Sequence, residues 1–127
     1  MKETEHNTVI YSGVDRHNRG QSGVIIWIHK SISNKIDHYK FWNDRVIQTR
    51  LKIQRGHLTL LGVYAPTEGR DKLNEEFYET LQQILDKVNK NDYIMLTGDM
   101  NARVGHDRVV NVVGANGEAT LNNGKNG

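Results

Sequence analysis

The chain has 127 residues, a net charge of +2 at neutral pH and no cysteine. That length suits one compact domain, and the lack of cysteine excludes disulfides and cysteine-based metal sites. Lysine and arginine are spread along the chain and do not form the basic stripe of a dedicated nucleic-acid binder. No apolar run could cross a bilayer or serve as a signal peptide. We expect a soluble, intracellular protein without membrane contact, and the nucleus is one compartment consistent with this.

The first third of the chain predicts short strands joined by polar segments. Residues 9–11 predict a short strand, and residues 15–21 predict an exposed loop. The β-branched run at 23–29 predicts a buried strand. A turn is expected at 31–34, and another strand at 36–42.

The middle of the chain predicts a hairpin. Apolar and polar residues alternate over 45–54, which places one side-chain set on a single face of a strand. That set is Ile47, Thr49, Leu51 and Ile53. Residues 56–57 predict the hairpin turn. The mostly apolar run at 58–64 predicts a central strand.

A long helix and a further strand follow. Residues 71–90 carry apolar side chains at helical spacing, and Asp71 is the expected N-cap. Residues 93–97 predict a strand, and Gly98 is expected to open a loop. The glycine- and asparagine-rich segment 105–127 predicts a mobile tail or a segment that packs on another part of the protein.

The order of strands, one long helix and a further strand predicts an α/β fold, in the layered α+β sense, with a mixed sheet. Two tryptophans, Trp27 and Trp42, are interpreted as packing aromatics and not as platforms for nucleic-acid bases. Arg45 begins a strand and is expected to form a structural ion pair. Scattered cations such as Lys30 and Lys35 are interpreted as a solvated surface.

Polar residues follow the predicted strand at 93–97 in the motif Gly-Asp-Met-Asn. In an extended chain Asp99 and Asn101 would point the same way, roughly 6–7 Å apart. A carboxylate can take a proton from water or hold a divalent cation, and an amide can donate to a phosphate oxygen. The alternative is that Asp-x-Asn only shapes a turn, since both residue types favour turns.

The strand at 58–64 also ends on a polar group, Tyr64, just before a proline. A phenol at the end of a strand can donate a hydrogen bond to a phosphate oxygen. The alternative is a half-buried tyrosine at the rim of the sheet. Because the two motifs flank the one long helix, a strand–helix–strand connection would bring Tyr64 and Asp99 to the same rim.

Taken together, these motifs resemble the exonuclease–endonuclease–phosphatase superfamily. Within it the chain is most similar to the apurinic-type endonuclease domain of non-LTR retrotransposons and to the craniofacial development protein 2 family derived from it. The similar segments run along nearly the whole chain: residues 11–13, 22–24, 29–31, 44–46, 63–67, 77–78, 81, 98–105, 113–118 and 121–124.

The resemblance implies a DNase I-like sandwich of mixed sheets with helices outside. It implies hydrolysis of phosphodiester or phosphomonoester bonds with Mg²⁺ or Mn²⁺, DNA as the partner, and other parts of a larger polyprotein as further partners. By the same resemblance, Tyr64 contacts the scissile phosphate, Asp99 orients or deprotonates the attacking water, and Asn101 holds that assembly.

The family also has an Asn and a metal-binding Glu on earlier strands, and an Asp-His pair near its C-terminus. No residue matches these, so the metal ligand is unknown and residues 1–127 are interpreted as an internal fragment of one domain. Glu3 lies too close to Tyr11 to be that glutamate. Asp37 and His38 lie too early to be the pair, and are interpreted as structural.

Three hypotheses about function follow. The first is a Mg²⁺-dependent DNA endonuclease of the retrotransposon type, of which this chain holds part of the site. The second is a catalytically dead remnant or interaction module, because the metal-binding Glu and the Asp-His pair are unmatched. The third is a calcineurin-type metallophosphoesterase, which also has Gly-Asp motifs but needs downstream His and Asn-His motifs that the sequence lacks.

Overall fold

The structure is a computed structural model and describes the chain except for residues 13–22, residue 68 and residues 102–127. The predicted loop at 15–21 and the predicted tail at 105–127 lie outside the described residues. Of the described helices, none is both long enough and apolar enough to cross a membrane.

The described residues form two sheets and two helices. In chain order the elements are β1 (Lys2–Glu3), β2 (Asn7–Tyr11), β3 (Ile25–His29), α1 (Lys30–Ser33), β4 (Ile36–Asn43), β5 (Val46–Ile53), β6 (Gly56–Tyr64), α2 (Asp71–Lys87) and β7 (Tyr93–Asp99). The small sheet has the order β1-β2-β3, and the large sheet has the order β4-β5-β6-β7. Of the strand pairs in the described part of the chain, only β6–β7 is parallel. The predicted α+β layered class and mixed sheet are confirmed.

Two apolar clusters hold three layers together. The cluster between the two sheets contains Ile10, Val24, Ile26, Ile28, Ile47 and Leu51. The cluster between the large sheet and α2 contains Val46, Leu61, Val63, Ala65, Phe77, Leu81 and Ile84. Each fully buried aliphatic or aromatic side chain stabilises the fold by about 1.5–3 kcal/mol. The large sheet is therefore packed on both faces, and its central strand β6 is fixed from both sides.

Strand β3 is only half buried, contrary to the prediction of a buried strand. Its side chains alternate, and Ile25 and Trp27 are 62% and 70% exposed. The interpretation of Trp27 as a packing aromatic is therefore wrong. The small sheet packs on the large sheet through one face, and Trp27 lies on the other. Trp42, by contrast, packs against the cluster beneath α2.

Three local predictions are also corrected. The hairpin between β5 and β6 turns at residues 54–55, because Ile53 pairs with Gly56. Residues 31–34 are mostly helical, and the His29 ring accepts a hydrogen bond from the backbone N–H of the second α1 residue. The N-cap of α2 is Arg70, so Asp71 is the first helical residue. There its negative charge interacts favourably with the helix dipole.

A partly buried ion network links the strands of the large sheet at the end where β7 begins. The Arg50 guanidinium donates to both carboxylate oxygens of Asp92 at 2.7 and 2.8 Å, and to Asp37 at 2.9 Å. The Thr59 hydroxyl also donates to Asp92 at 2.9 Å. The Asp92 side chain is only 2% exposed. Its lost hydration is thus replaced by charge-assisted bonds, and Asp37 has the structural role expected of it.

The two edges of the large sheet differ. Strand β4 has two register irregularities and carries charged side chains, features that discourage pairing with another strand. Strand β7 pairs regularly with β6 over its whole length. Its residues Tyr93, Ile94, Met95 and Leu96 are 61%, 50%, 52% and 43% exposed. Strand β7 therefore carries four consecutive exposed apolar side chains.

Gly98 lies within β7 and does not open a loop as predicted. Its φ of +134° is a conformation that other residues rarely adopt. Gly98 stands opposite Val63 of β6, and a β-carbon at Gly98 would clash with the Val63 carbonyl oxygen. The parallel pairing therefore continues to Asp99 only because residue 98 has no side chain.

Replacing Gly98 by alanine is expected to destabilise the protein by about 3 kcal/mol or more, since a backbone clash adds to the φ strain. Gly56→Ala is the matched control. Gly56 also has a positive φ (+108°), but a β-carbon there meets nothing within 4 Å. Gly56→Ala should lower the free energy of unfolding by about 1–2 kcal/mol. Urea unfolding measures both, and equal losses would contradict the proposed clash.

The Arg50 contact holds the pKa of Asp92 at about 2, below its ordinary value of 3.8. A carboxylate with a lowered folded-state pKa contributes stability above its unfolded pKa and loses it as pH falls through the folded value. Stability should therefore decline between about pH 4 and pH 2. Asp92→Asn should weaken this dependence, whereas Asp86→Asn on the exposed side of α2 should not. If the free energy of unfolding of wild type and of Asp92→Asn changed equally with pH, this prediction would be contradicted.

Candidate active site at the ends of β6 and β7

The parallel strands β6 and β7 end side by side on the two residues singled out from the sequence. Tyr64 and Asp99 are direct partners in the strand register. The pairing extends one residue further, because the Ala65 N–H donates to the Asp99 carbonyl oxygen at 2.8 Å. Neighbouring strands lie about 4.8 Å apart. The predicted shared rim therefore places a phenol-bearing and a carboxylate-bearing residue on adjacent strand ends.

Tyr64 occupies the face of the large sheet that looks toward the small sheet. It is half-buried and packs against the cluster between the sheets. Asp99 shares that face, since paired residues on neighbouring strands point the same way. Its side chain is exposed and so accessible to water. The site thus lies at the end of the sandwich, with a packed tyrosine beside an open carboxylate.

Asn101 does not extend the strand as expected from the sequence. Its φ of +47° is left-handed, and its backbone N–H donates to the Asp99 carboxylate at 2.8 Å. This is the turn that the alternative interpretation of Asp-x-Asn described. The Asn101 side-chain amide also donates to the Ala65 carbonyl at 2.5 Å. Asn101 therefore fixes the Asp99 side chain and fastens the end of β7 to the residue after Tyr64.

Arg45 was expected to form an ion pair, but its guanidinium contacts Tyr64. The Tyr64 N–H donates to the Arg45 carbonyl at 2.9 Å, which adds one rung to the β5–β6 ladder. The guanidinium Nη1 donates back to the Tyr64 carbonyl at 3.1 Å. The guanidinium carbon lies 5.5 Å from the centre of the tyrosine ring. Arg45, Tyr64 and Asp99 therefore form a row across three strand ends.

The other charged residues considered from the sequence lie at the opposite end of the sandwich. Glu3 lines a cavity there together with Asp37 and His38. Asp37 accepts a hydrogen bond from Arg50, and Arg50 is the strand-register partner of Thr59. Thr59 lies five residues before Tyr64, a separation of about 16 Å along a strand. Glu3 is therefore not a ligand near Asp99, as expected.

The lysines considered from the sequence lie at that opposite end as well. Lys30 begins α1, and its N–H donates to the His6 carbonyl. Lys35 precedes the start of β4 and accepts from the N–H of Lys52, near the turn end of β5. Neither lysine lies beside Tyr64, so neither adds positive charge to the candidate site.

The described residues do not by themselves form a site for Mg²⁺ or Mn²⁺. Within residues 1–12, 23–67 and 69–101, no group of three or more His, Asp or Glu side chains could hold a metal ion. Asp99 can supply one carboxylate group, whereas protein-bound Mg²⁺ and Mn²⁺ favour octahedral oxygen coordination. Further ligands would have to come from other residues.

The fold and site define a layered α+β domain with a tyrosine and a carboxylate at the end of a parallel strand pair. Over 95 residues, the chain is 34% identical to craniofacial development protein 2 of Bos taurus and 33% identical to that of Tragulus javanicus. These matches cover 74% of this chain but 16% and 17% of the relatives. The chain thus spans about one sixth of their length. No family model and no solved structure matches.

These comparisons confirm the predicted similarity to craniofacial development protein 2 for about three quarters of the chain. Membership of the exonuclease–endonuclease–phosphatase superfamily stays a prediction, as do the roles assigned to Tyr64, Asp99 and Asn101.

Substitution can separate the effect of the Asn101 side-chain amide from the effect of its left-handed backbone conformation. Asn101→Gly removes the amide but tolerates the positive φ, whereas Asn101→Ala removes the amide and strains the backbone. Alanine should therefore be less stable than glycine by about 1 kcal/mol. Chemical unfolding of both variants measures the difference. A glycine variant no more stable than the alanine variant would show that the left-handed conformation contributes nothing here.

Proposed function

We propose that this chain forms part of a metal-dependent DNA endonuclease domain of the exonuclease–endonuclease–phosphatase superfamily. The observation that carries the proposal is the register of Tyr64 with Asp99 at the ends of two parallel strands. The similarity to craniofacial development protein 2 supports it, because the motifs of this chain resemble both that protein family and the superfamily. The chain covers a small part of those relatives, so the activity is proposed for a longer protein as well.

In the proposed reaction Asp99 serves as general base. Its exposed carboxylate can accept a proton from a water molecule, and the Asn101 N–H holds one of its oxygens. The other oxygen is then oriented by the same turn. The activated water attacks phosphorus, the bond to the leaving oxygen breaks, and the leaving oxygen takes up a proton from solvent. General base catalysis of this kind contributes about 10²–10⁴-fold.

Tyr64 is proposed to hold the phosphate. Its hydroxyl can donate to a non-bridging phosphate oxygen, on which negative charge grows as the water attacks. A donor that is already in place costs no reorganisation at that moment. The packing of Tyr64 between the sheets supports this role because it restricts where the ring can lie.

The metal is proposed on the resemblance alone. Mg²⁺ or Mn²⁺ would supply charge stabilisation at the phosphate. Among the described residues Asp99 can contribute a carboxylate oxygen, and these residues do not complete a metal site. The partners proposed with it are DNA and other parts of a larger polyprotein.

The test is nicking of supercoiled plasmid DNA in the presence of Mg²⁺, with EDTA as the blank. Asp99→Asn keeps an oxygen for the Asn101 N–H but removes the negative charge. It should lower nicking by at least about 10²-fold. Tyr64→Phe, which keeps the ring and removes the hydroxyl, should lower it by about 10²-fold.

Asp86→Asn is the matched control, because it removes the same charge from an exposed position on α2. It should nick as wild type does. Undiminished nicking by Asp99→Asn would disprove the role of Asp99, and nicking that persists in EDTA would disprove the metal requirement.

The second candidate is a catalytically inactive module that binds a partner. It is favoured by one observation, namely that the described residues do not complete a metal site. In that case neither the wild-type chain nor the Asp99→Asn variant nicks DNA with Mg²⁺. Reproducible nicking by the wild-type chain that Asp99→Asn abolishes would exclude it.

A further inference from the structure

Arg45 holds Tyr64 from two sides, and neither the sequence motifs nor the comparisons assign it a role. Its guanidinium contacts the tyrosine backbone through the Tyr64 carbonyl, 3.1 Å away. The same group lies over the tyrosine ring at 5.5 Å, within the range of a cation–π contact. One side chain therefore links the strand position of Tyr64 to the orientation of its ring.

The strand ladder places Arg45 there independently of its side chain. The Tyr64 N–H donates to the Arg45 carbonyl at 2.9 Å, and the next residues, Val46 and Val63, are register partners. Val46 and Val63 are both buried beneath α2. Because side chains alternate along a strand, Arg45 and Tyr64 share the opposite face.

One side of the Tyr64 ring faces apolar side chains. Tyr64 packs against the cluster between the sheets, which restricts one side of the ring but offers no directional contact. The arginine fork is planar and presents its N–H donors in a fixed geometry. Arg45 thus supplies the directional contact that the apolar cluster lacks.

We propose that Arg45 is a positioning residue that sets where the Tyr64 hydroxyl meets the phosphate, an inference that rests on the proposed function. Arg45 acts through Tyr64 and does not itself touch the substrate. A misplacement of a reacting or binding group by about 1 Å can cost up to 10²-fold in rate. Loss of Arg45 therefore lowers the rate of the chemical step and leaves DNA binding unchanged.

The kinetic test is plasmid nicking with Mg²⁺, comparing Arg45→Ala in the wild-type background and in the Tyr64→Phe background. In the wild-type background kcat should fall about 10–10²-fold with KM within about twofold. In the Tyr64→Phe background Arg45→Ala should change kcat by less than about twofold, because no hydroxyl remains to be positioned. Arg45→Lys, which keeps the charge but not the planar fork, should recover part of the loss.

Arg55→Ala is the matched control. Arg55 lies in the β5–β6 turn at the other end of the hairpin and is exposed, so its loss removes the same charge far from the site. Equal losses of kcat from Arg45→Ala in both backgrounds would overturn the proposal. So would a raised KM with kcat unchanged, which would instead indicate a direct contact with the DNA phosphate.

A second measurement decides the matter if the wild-type chain does not nick DNA. The chain has five tyrosines, and in ¹³C-tyrosine-labelled protein the Tyr64 ring signal is identified by its loss in Tyr64→Phe. Arg45→Ala should shift that ring signal and leave the other tyrosine signals in place, whereas Arg55→Ala should shift none. Absence of nicking then rejects the proposed function alone, and an unmoved Tyr64 signal in Arg45→Ala rejects the positioning role.

Discussion

At Gly98, strands β6 and β7 approach so closely that a side chain would clash with the Val63 backbone. This contact lets the parallel ladder run on to Asp99, and the Ala65 N–H then closes it. A strand that ended at Thr97 would leave Asp99 in a loop with no defined neighbour. Because side chains alternate along a strand, a slip of one residue would carry Asp99 to the α2 face, away from Tyr64. The proximity of Tyr64 and Asp99 therefore depends on the backbone pairing of β6 with β7.

The rest of the fold holds that pairing in place. Strand β6 is packed on one face by α2 and on the other by the small sheet, so it cannot shift without breaking an apolar cluster. At the start of β7, Asp92 is held by Arg50 and Thr59, which fixes the far end of the same ladder. At the site end, Asn101 bonds to the Ala65 carbonyl. Both ends of β7 are thus anchored to the sheet, although no strand among the described residues pairs with its outer edge.

Much of this could be predicted from the sequence, because β5, β6 and α2 have regular apolar periodicity and Tyr64 and Asp99 follow apolar strands. What could not be predicted depends on partners distant in sequence. The exposure of Trp27 depends on which face of the small sheet packs. The contact of Arg45 with Tyr64 joins residues 19 apart. Glycine weakens the interior of a strand, so the place of Gly98 inside β7 follows only from its fit against Val63.

The most direct test of the account is a through-space NMR measurement between β6 and β7, since every role proposed for Tyr64 and Asp99 presumes their register. The account predicts backbone cross-peaks in register from Leu61 with Leu96 to Tyr64 with Asp99, together with slow hydrogen exchange at the Ala65 amide. A ladder displaced by one residue, or a freely exchanging Ala65 amide, would contradict it, because the carboxylate would then lie apart from the phenol.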